Sequence, residues 1–274
     1  MDVFWSNVAL EAALMVALWV ASVVRRDASI VDPWWSIGFV LIAANTAWQT
    51  GLTPGKSLLL AMTLTWGVRL WLHLLVRSIG KPEDVRYQAF RQKYGPHRYW
   101  WVSFFQVFVL QGVLVVIISA PLQVILGASA PDDLTWWDAV GAAVFVVGLG
   151  FEALGDWQLT AFRRDPANKG RILDTGVWRF TRHPNYFGDA LLWWGFWLCG
   201  MDLGIEGVLT GFAPALKTFL LVQVSGVRML DRHLAATRPG YAEYMERTPG
   251  FVPGLRRTPV RQAPAAGGAP ARQP

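Results

Sequence analysis

Long apolar runs constrain this chain more than any other feature of its sequence. The first covers 3–24, contains a single ionisable residue, Glu11, and is closed by Arg25 and Arg26. A helix needs about 20 apolar residues to cross a bilayer. Further runs of comparable length cover 30–50, 57–76, 101–126, 136–163, 185–201 and 205–229. The pattern predicts an all-α fold, a polytopic membrane bundle of about seven transmembrane helices.

The composition supports a membrane protein and argues against several other classes. Of the 274 residues, 53% are hydrophobic and only 16% are charged. The net charge of +6 could suit a nucleic acid. However, the basic residues lie between apolar runs, where they indicate membrane orientation instead. We therefore expect no nucleic-acid partner. With one cysteine, Cys199, the chain cannot form an internal disulfide, and no spaced His/Cys motif suggests a metal.

The domain organisation follows from the same pattern. We expect one integral-membrane domain over 1–253, with a C-terminal half from about 152 to 253. The tail, 254–274, is rich in Pro, Ala, Gly and Arg and is expected to be disordered. The charged segment 77–98 is typical of an amphipathic surface helix, and a second short amphipathic helix is expected within 231–253.

The distribution of basic residues predicts the orientation. The segments 25–29, 77–98, 163–182 and 228–274 hold 2, 6, 6 and 8 of the 25 Lys and Arg residues. With seven spans, all four segments fall on one side of the membrane, which the positive-inside rule identifies as the cytoplasm. We expect an outside N-terminus and a cytoplasmic C-terminus, in the inner membrane of a bacterium.

Several polar groups lie at membrane depth or at the ends of the runs. Asp32 precedes Pro33 at the start of the second run, where it could cap the helix or act as a functional carboxylate. Glu152, Asp156 and Arg163 fall close to one face of the fifth helix. They could pair with one another at the membrane edge or bind a ligand.

One stretch concentrates groups able to hold a ligand, namely Arg182-His183-Pro184-Asn185-Tyr186-Phe187-Gly188-Asp189. It is the point where a basic loop turns into an apolar helix. Pro184 suits the first helical turn, and the backbone N–H groups there favour anions. A helix-start signal with an aromatic anchor at the bilayer surface would explain the same residues.

This stretch resembles the C-terminal signature of the steroid 5α-reductase superfamily of membrane enzymes, and isoprenylcysteine methyltransferases share a similar run. Two further motifs are Asp32-Pro33-Trp34-Trp35 and Glu83-Asp84-Val85-Arg86-Tyr87. With them, the chain resembles the superfamily's uncharacterised bacterial branch, the DUF1295 proteins.

The resemblance implies an NADPH site in the C-terminal half. The positions that match cofactor-binding positions of steroid 5α-reductases are Asp156, Arg163, Arg171, Asn185 and Arg228, and Asp189 stands where those enzymes have a glutamate. Arg179 would join Arg163 and Arg171 in binding phosphates, because guanidinium groups bind phosphate through paired, charge-assisted hydrogen bonds.

The resemblance also implies where the substrate carbonyl would bind. Steroid 5α-reductases use a Gln-Glu pair and a Tyr, and the matching positions here are Val31-Asp32 and Trp66. Asp32 keeps the carboxylate on a shorter side chain, whereas Val31 and Trp66 stand in place of the Gln and the Tyr. Asp32, with Trp66 and Tyr186, is therefore the expected catalytic group.

The expected activity is reduction of a conjugated C=C bond in a steroid-like or other lipid-soluble enone, with NADPH as cofactor and membrane lipids as surroundings. One alternative is an S-adenosylmethionine-dependent membrane methyltransferase. Isoprenylcysteine methyltransferases usually carry a paired glutamate after the Arg of the last helix, where this chain has only Asp231. The other alternative is a noncatalytic lipid-binding membrane protein.

Overall fold

A computed structural model describes residues 2–129, 133–224 and 226–256. Within these ranges the chain is helical and contains no β-strand, which confirms the prediction of an all-α membrane bundle. Most of the tail for which we expected disorder, 257–274, lies outside the described residues.

The α-helices follow one another along the whole described chain. In order they are α1 (Val3–Arg25), α2 (Val31–Thr50), α3 (Pro54–Ser78), α4 (Val85–Tyr94), α5 (Pro96–Ser103), α6 (Leu110–Ile118), α7 (Ala120–Gly127), α8 (Trp136–Arg164), α9 (Pro184–Leu198), α10 (Ile205–Leu209), α11 (Phe212–Phe219), α12 (Val227–Thr237) and α13 (Tyr241–Arg247). Wider π-helical segments, Phe104–Val109 and Leu220–Val224, continue α5 into α6 and extend α11.

Six helical stretches within the described residues are long and apolar enough to cross a membrane, where the sequence predicted about seven. They are Val3–Arg25, Ala28–Thr50, Pro54–Ser78, Pro96–Ile118, Trp136–Arg164 and Ile205–Thr237. The difference lies at 185–201. There α9 has 15 residues, a length of about 22 Å, against a hydrocarbon core of about 30 Å.

Proline explains why the predicted fourth run, 101–126, is not one helix. α6 ends at Ile118, and α7 starts with Pro121 in its first turn. Proline has no N–H to donate to the carbonyl four residues earlier, at Ile117, so the helix breaks there. Within the charged segment 77–98, the short helix α4 lies between the end of α3 at Ser78 and the start of α5 at Pro96.

The chain divides into two compact units. The first comprises Met1–Gly150 and Asp189–Leu220, and the second comprises Phe151–Gly188 and Leu221–Pro274. In the first unit α2 is central and packs against α1, α3, α6 and α7. Its core is rich in large aromatic side chains that are fully buried, among them Phe39, Trp66, Trp193 and Phe196.

The second unit is held together by hydrogen bonds between its loops and helices. The Trp178 indole donates to the Gly155 carbonyl at 3.2 Å, and the Tyr244 hydroxyl donates to the Trp178 carbonyl at 2.5 Å. The backbone N–H of Arg182 donates to the Pro249 carbonyl at 2.9 Å. These bonds fix the basic loop that leads into α9.

Within the first unit, α8 and α9 approach so closely that only glycine fits. A methyl group on Gly195 would lie 2.7 Å from the Gly141 carbonyl oxygen and 2.7 Å from the Phe145 nitrogen. Both contacts are with backbone atoms, which cannot turn aside as a flexible side chain can.

We expect Gly195→Ala to destabilise the protein by about 1–3 kcal/mol, the usual cost of overpacking a well-packed site. Gly150→Ala is the matched control, because a methyl group there has no atom within 4 Å in the described structure and alanine favours a helix by up to about 1 kcal/mol. Thermal unfolding in detergent measures both. Equal stability of the two variants would contradict the close approach of α8 and α9.

Candidate functional site

Asp32, at the start of α2, is the centre of a polar cluster in the first unit. Its carboxylate accepts a hydrogen bond from the Tyr87 hydroxyl at 2.6 Å and another from the Arg86 guanidinium at 2.8 Å. On α6, Gln111 donates to the Tyr87 hydroxyl oxygen at 3.3 Å. α2, α4 and α6 thus bring a carboxylate, a phenol, a guanidinium and an amide together.

The alternative that Asp32 caps its helix is wrong. α2 begins at Val31 with Ile30 as the cap residue, and no side-chain cap bond forms there. The preceding turn is capped by Asp27, which accepts from the Ser29 backbone N–H at 2.9 Å. The oxygens of Asp32 face the side chains of Arg86 and Tyr87 instead.

The environment of Tyr87 favours the protonated phenol. Its side chain is buried, and burial raises the pKa of Tyr87; the neighbouring Asp32 carboxylate raises it further. Burial lowers the pKa of Arg86, but the hydrogen bond to Asp84 and the charge of Asp32 outweigh this and raise that pKa above its ordinary value. The cluster therefore holds a neutral hydrogen-bond donor beside a permanent positive charge.

A second polar group of the first unit is an ion pair inside an aromatic box. The Lys217 ammonium lies 3.0 Å from a carboxylate oxygen of Asp189, and Lys217 is 1% exposed. The box around the ammonium consists of the rings of Trp35, Phe39, Trp66 and Trp193, whose centroids lie between 4.6 and 5.7 Å from it. Rings at such distances stabilise a cation by about 0.5–2 kcal/mol each.

The aromatic box and the Asp32 cluster are neighbours along α2. Asp32 and Trp35 are three residues apart and so lie on one face of the helix, about one turn from each other. Trp66, predicted to be catalytic, is a wall of the box and is fully buried. Its indole N–H has no hydrogen-bond partner among the described residues.

In the second unit, the predicted Asp156 and Asn185 are brought together. The Asn185 amide donates to a carboxylate oxygen of Asp156 at 3.1 Å, and its own oxygen accepts from the Tyr186 backbone N–H at 3.1 Å. The Tyr186 ring, also predicted to be catalytic, stacks on His183 at 5.7 Å with an interplanar angle of 6°. α9 begins at Pro184, as expected.

The other predicted cofactor-binding residues fall into two groups. Those whose side chains are exposed in the second unit are Arg163, Arg171, Arg179 and Arg228. Asp189 belongs to the first unit and pairs with Lys217. The cofactor roles of all these residues stay predictions.

Asp231 joins the loop before α9 to the last two helices. Its carboxylate accepts from the Arg182 guanidinium at 2.7 Å, from the Tyr241 hydroxyl at 2.7 Å, and lies 2.9 Å from the His183 ring. Burial and the bond to Asp231 raise the pKa of Tyr241, so the hydroxyl stays a donor. Arg182 also donates to the Met245 carbonyl at 3.0 Å.

The groups that surround Asp32 and Asp189 were not predicted from the sequence. Tyr87 and Arg86 lie in a segment interpreted as a solvated surface helix, although they belong to a motif that carried the resemblance. Lys217 had a clearer signal, since an ionisable residue inside an apolar run is functional or paired. Nothing in the sequence alone pointed to Gln111 as a partner of Tyr87.

The comparison with protein families identifies the class to which the chain belongs. The model of the family described as "Protein of unknown function (DUF1295)" matches residues 18–248. The chain is a member of that family, which belongs to the steroid 5α-reductase-like superfamily, so the resemblance inferred from the motifs is confirmed.

Individual relatives share between 23% and 31% sequence identity with this chain over the matched residues. An uncharacterized protein of Schizosaccharomyces pombe is 23% identical over 87% of this chain and 76% of its own length. The cobalt-zinc-cadmium resistance protein CzcN of Cupriavidus metallidurans is 26% identical over 53% of this chain and 63% of its own length. The probable O-methyltransferase ustE of Ustilaginoidea virens is 31% identical over 28% of this chain and 26% of its own length. The matches span less than two thirds of the last two relatives. No solved structure matches.

We expect Asp231→Ala to destabilise the protein strongly, by about 3–5 kcal/mol, because it leaves a buried guanidinium without its carboxylate. Glu246→Ala is the control, since it removes an exposed carboxylate from the same unit. Thermal unfolding in detergent compares the two variants. A loss for Asp231→Ala no larger than for Glu246→Ala would show that Asp231 does not hold the loop.

Proposed function

We propose that this protein is an integral membrane reductase that uses NADPH to reduce a conjugated C=C bond in a lipid-soluble enone. The observation that carries the proposal is the hydrogen bond of 2.6 Å between Tyr87 and Asp32. Reduction of an enone needs a hydrogen-bond donor on the carbonyl oxygen, where negative charge develops. The position that matches the catalytic tyrosine of steroid 5α-reductases holds Trp66, but Tyr87 supplies a phenol from another helix.

The residues of the second unit fit NADPH in their chemistry. NADPH carries a pyrophosphate and a 2′-phosphate, and Arg163, Arg171, Arg179 and Arg228 offer exposed guanidinium groups that bind phosphates in paired hydrogen bonds. The pair formed by the buried Asp156 and the partly buried Asn185 offers a carboxylate and an amide for ribose or carboxamide groups. When bound, NADPH supplies the hydride that adds to the β carbon of the enone.

The Asp32 cluster handles the proton of the reaction. Tyr87 turns its O–H from Asp32 to the substrate carbonyl oxygen and protonates it as the enolate develops. The O–H bond of Tyr87 breaks and an enol O–H bond forms. The enol then becomes the saturated ketone, as water donates a proton to its α carbon and accepts the proton released from its hydroxyl. Arg86 stabilises the resulting phenolate by its charge, and Asp32 positions both groups.

The setting of the reaction follows the distribution of basic residues. If the short helix α9 crosses the membrane as a seventh span, all the basic segments lie on one side. The protein then lies in the inner membrane of a bacterium, with the N-terminus outside and the C-terminus in the cytoplasm. The substrate reaches it from the membrane lipids, and NADPH from the cytoplasm.

A methyltransferase that uses S-adenosylmethionine is the second candidate. It is favoured by the match of 78 residues to a probable O-methyltransferase. The reductase is preferred because S-adenosylmethionine carries no phosphate for the exposed arginines of the second unit. In addition, a phenol held by a carboxylate is suited to donating a proton to a carbonyl.

We expect Tyr87→Phe and Asp32→Asn to lower turnover about 10²-fold or more, the scale of general acid catalysis, while NADPH binding is unchanged. Consumption of NADPH by the purified protein, with a 3-oxo-4-ene steroid as the probe, measures turnover. Tyr94→Phe is the control, because Tyr94 lies on the same helix and its ring packs against Lys93. Full turnover by Tyr87→Phe would contradict its role as the acid.

A further inference from the structure

Glu11 is a buried carboxyl group in the middle of a membrane-spanning helix. It lies on the buried face of α1 with Asn7, Met15, Leu18 and Ser22, and is 1% exposed. Among the described residues, neither of its carboxyl oxygens has a hydrogen-bond partner. A charged carboxylate without a partner in such a place would cost several kcal/mol, roughly, so the group is held as a neutral acid that carries its proton.

A glycine makes the space that this acid occupies. A methyl group on Gly38 of α2 would lie 2.6 Å from one carboxyl oxygen of Glu11 and 3.0 Å from the other. A methyl group on Gly112 of α6 would be in ordinary contact with Glu11, at 3.8 Å, and would press on Met15 at 3.0 Å. The backbone of α2 is thus pressed against a group that stability does not require, since leucine would fill a similar volume with no polar atom to bury.

The same two helices carry the Asp32 cluster. On α2, Gly38 follows Asp32 by six residues, a rise of about 9 Å. On α6, Gly112 directly follows Gln111, which donates to the Tyr87 hydroxyl at 3.3 Å. Glu11 and Tyr87 thus contact the same two helices, less than two turns apart along α2. Bridging water would carry the proton between them.

A hydrogen-bonded series of side chains begins one helical turn from Glu11. Asn45 donates to the Asn7 amide oxygen at 2.7 Å and to the Ser6 hydroxyl at 2.9 Å. The exposed Gln49 donates to the same hydroxyl at 2.6 Å. These groups give the neighbourhood of Glu11 a polar route to the surface of the first unit.

We propose that Glu11 is the internal acid that returns a proton to Tyr87 in each catalytic cycle, an inference that rests on the proposed function. After the substrate is protonated, Tyr87 is a phenolate. The O–H bond of Glu11 breaks, its electron pair stays on the carboxylate, and a new O–H bond forms on Tyr87. The transfer is favoured by the ordinary acidities of the two groups, since in water a phenol holds its proton far more tightly than a carboxylic acid does; this offsets the cost of leaving a buried carboxylate. Water at the surface then reprotonates Glu11 along the polar route.

The first arm of the test detects the neutral acid and requires no enzymatic activity. Dicyclohexylcarbodiimide, an apolar reagent that reacts with protonated carboxyl groups, is added to the purified protein, and the adduct is located by peptide mass spectrometry. We expect an adduct on Glu11 that is lost in Glu11→Gln and kept in Asp138→Asn. Asp138 is also buried, but its carboxylate accepts from the Thr135 N–H at 2.9 Å. Absence of an adduct on Glu11 would overturn the proposal.

The second arm separates a proton relay from a structural role. We expect Glu11→Gln to lower steady-state turnover of the steroid probe about 10²-fold at unchanged KM, while the first turnover, which uses the proton already on Tyr87, keeps its normal rate. Glu11→Asp should restore part of the steady-state rate. Equal loss in the first and later turnovers, or no loss at all, overturns the relay. Failure of the wild-type protein to turn over overturns the proposed function and the relay together, and the adduct still decides whether Glu11 is neutral.

Discussion

The ion pair between Lys217 and Asp189 is the interaction on which the packing of the first unit depends. It is 3.0 Å long and almost fully removed from solvent. Burying each ion costs several kcal/mol, roughly, and breaking such a pair costs about 3–5 kcal/mol. The cost is offset only because α2, α3 and α9 all supply rings around the ammonium of α11. Trp35 therefore has a fixed place on α2, and with it Asp32, one turn away. α2 thus lines the ion pair and also positions the polar cluster used in the proposed chemistry.

Much of the fold could be predicted from the sequence because membranes leave a chain few choices. Six of the apolar runs gave helices long enough to span a bilayer, and the family assignment was correct. The errors have local physical causes. Pro121 interrupts the fourth run, and the run at 185–201 yields a helix of only 15 residues. Asp32 followed by a proline is typical of a helix cap, yet its oxygens bond to side chains from a segment about 50 residues later. Periodicity and capping rules describe local structure, and they contain no information on such long-range pairs.

The candidate site shows that matching sequence positions to those of a related enzyme does not by itself identify the catalytic groups. At the position where steroid 5α-reductases have a catalytic tyrosine, this chain has Trp66, which walls the aromatic box. A phenol nevertheless reaches the carboxylate, because α4 directs Tyr87 toward Asp32. An amide also reaches the phenol, from Gln111 on α6. The chemical groups of the steroid enzymes are thus present from different parts of the chain. This favours a reaction on a carbonyl compound over loss of catalysis.

The identity of the cofactor decides between hydride transfer and methyl transfer, so the central claim is tested most directly by ligand-dependent thermal unfolding in detergent. A ligand that binds only the folded protein contributes about 2.7 kcal/mol at 100 times its Kd. The account predicts stabilisation by NADPH that is reduced in Arg171→Ala and Asn185→Ala but kept in Arg232→Ala, which removes another exposed arginine of the second unit. It predicts no stabilisation by S-adenosylmethionine. Stabilisation by S-adenosylmethionine with none from NADPH would contradict the account and identify a methyltransferase instead.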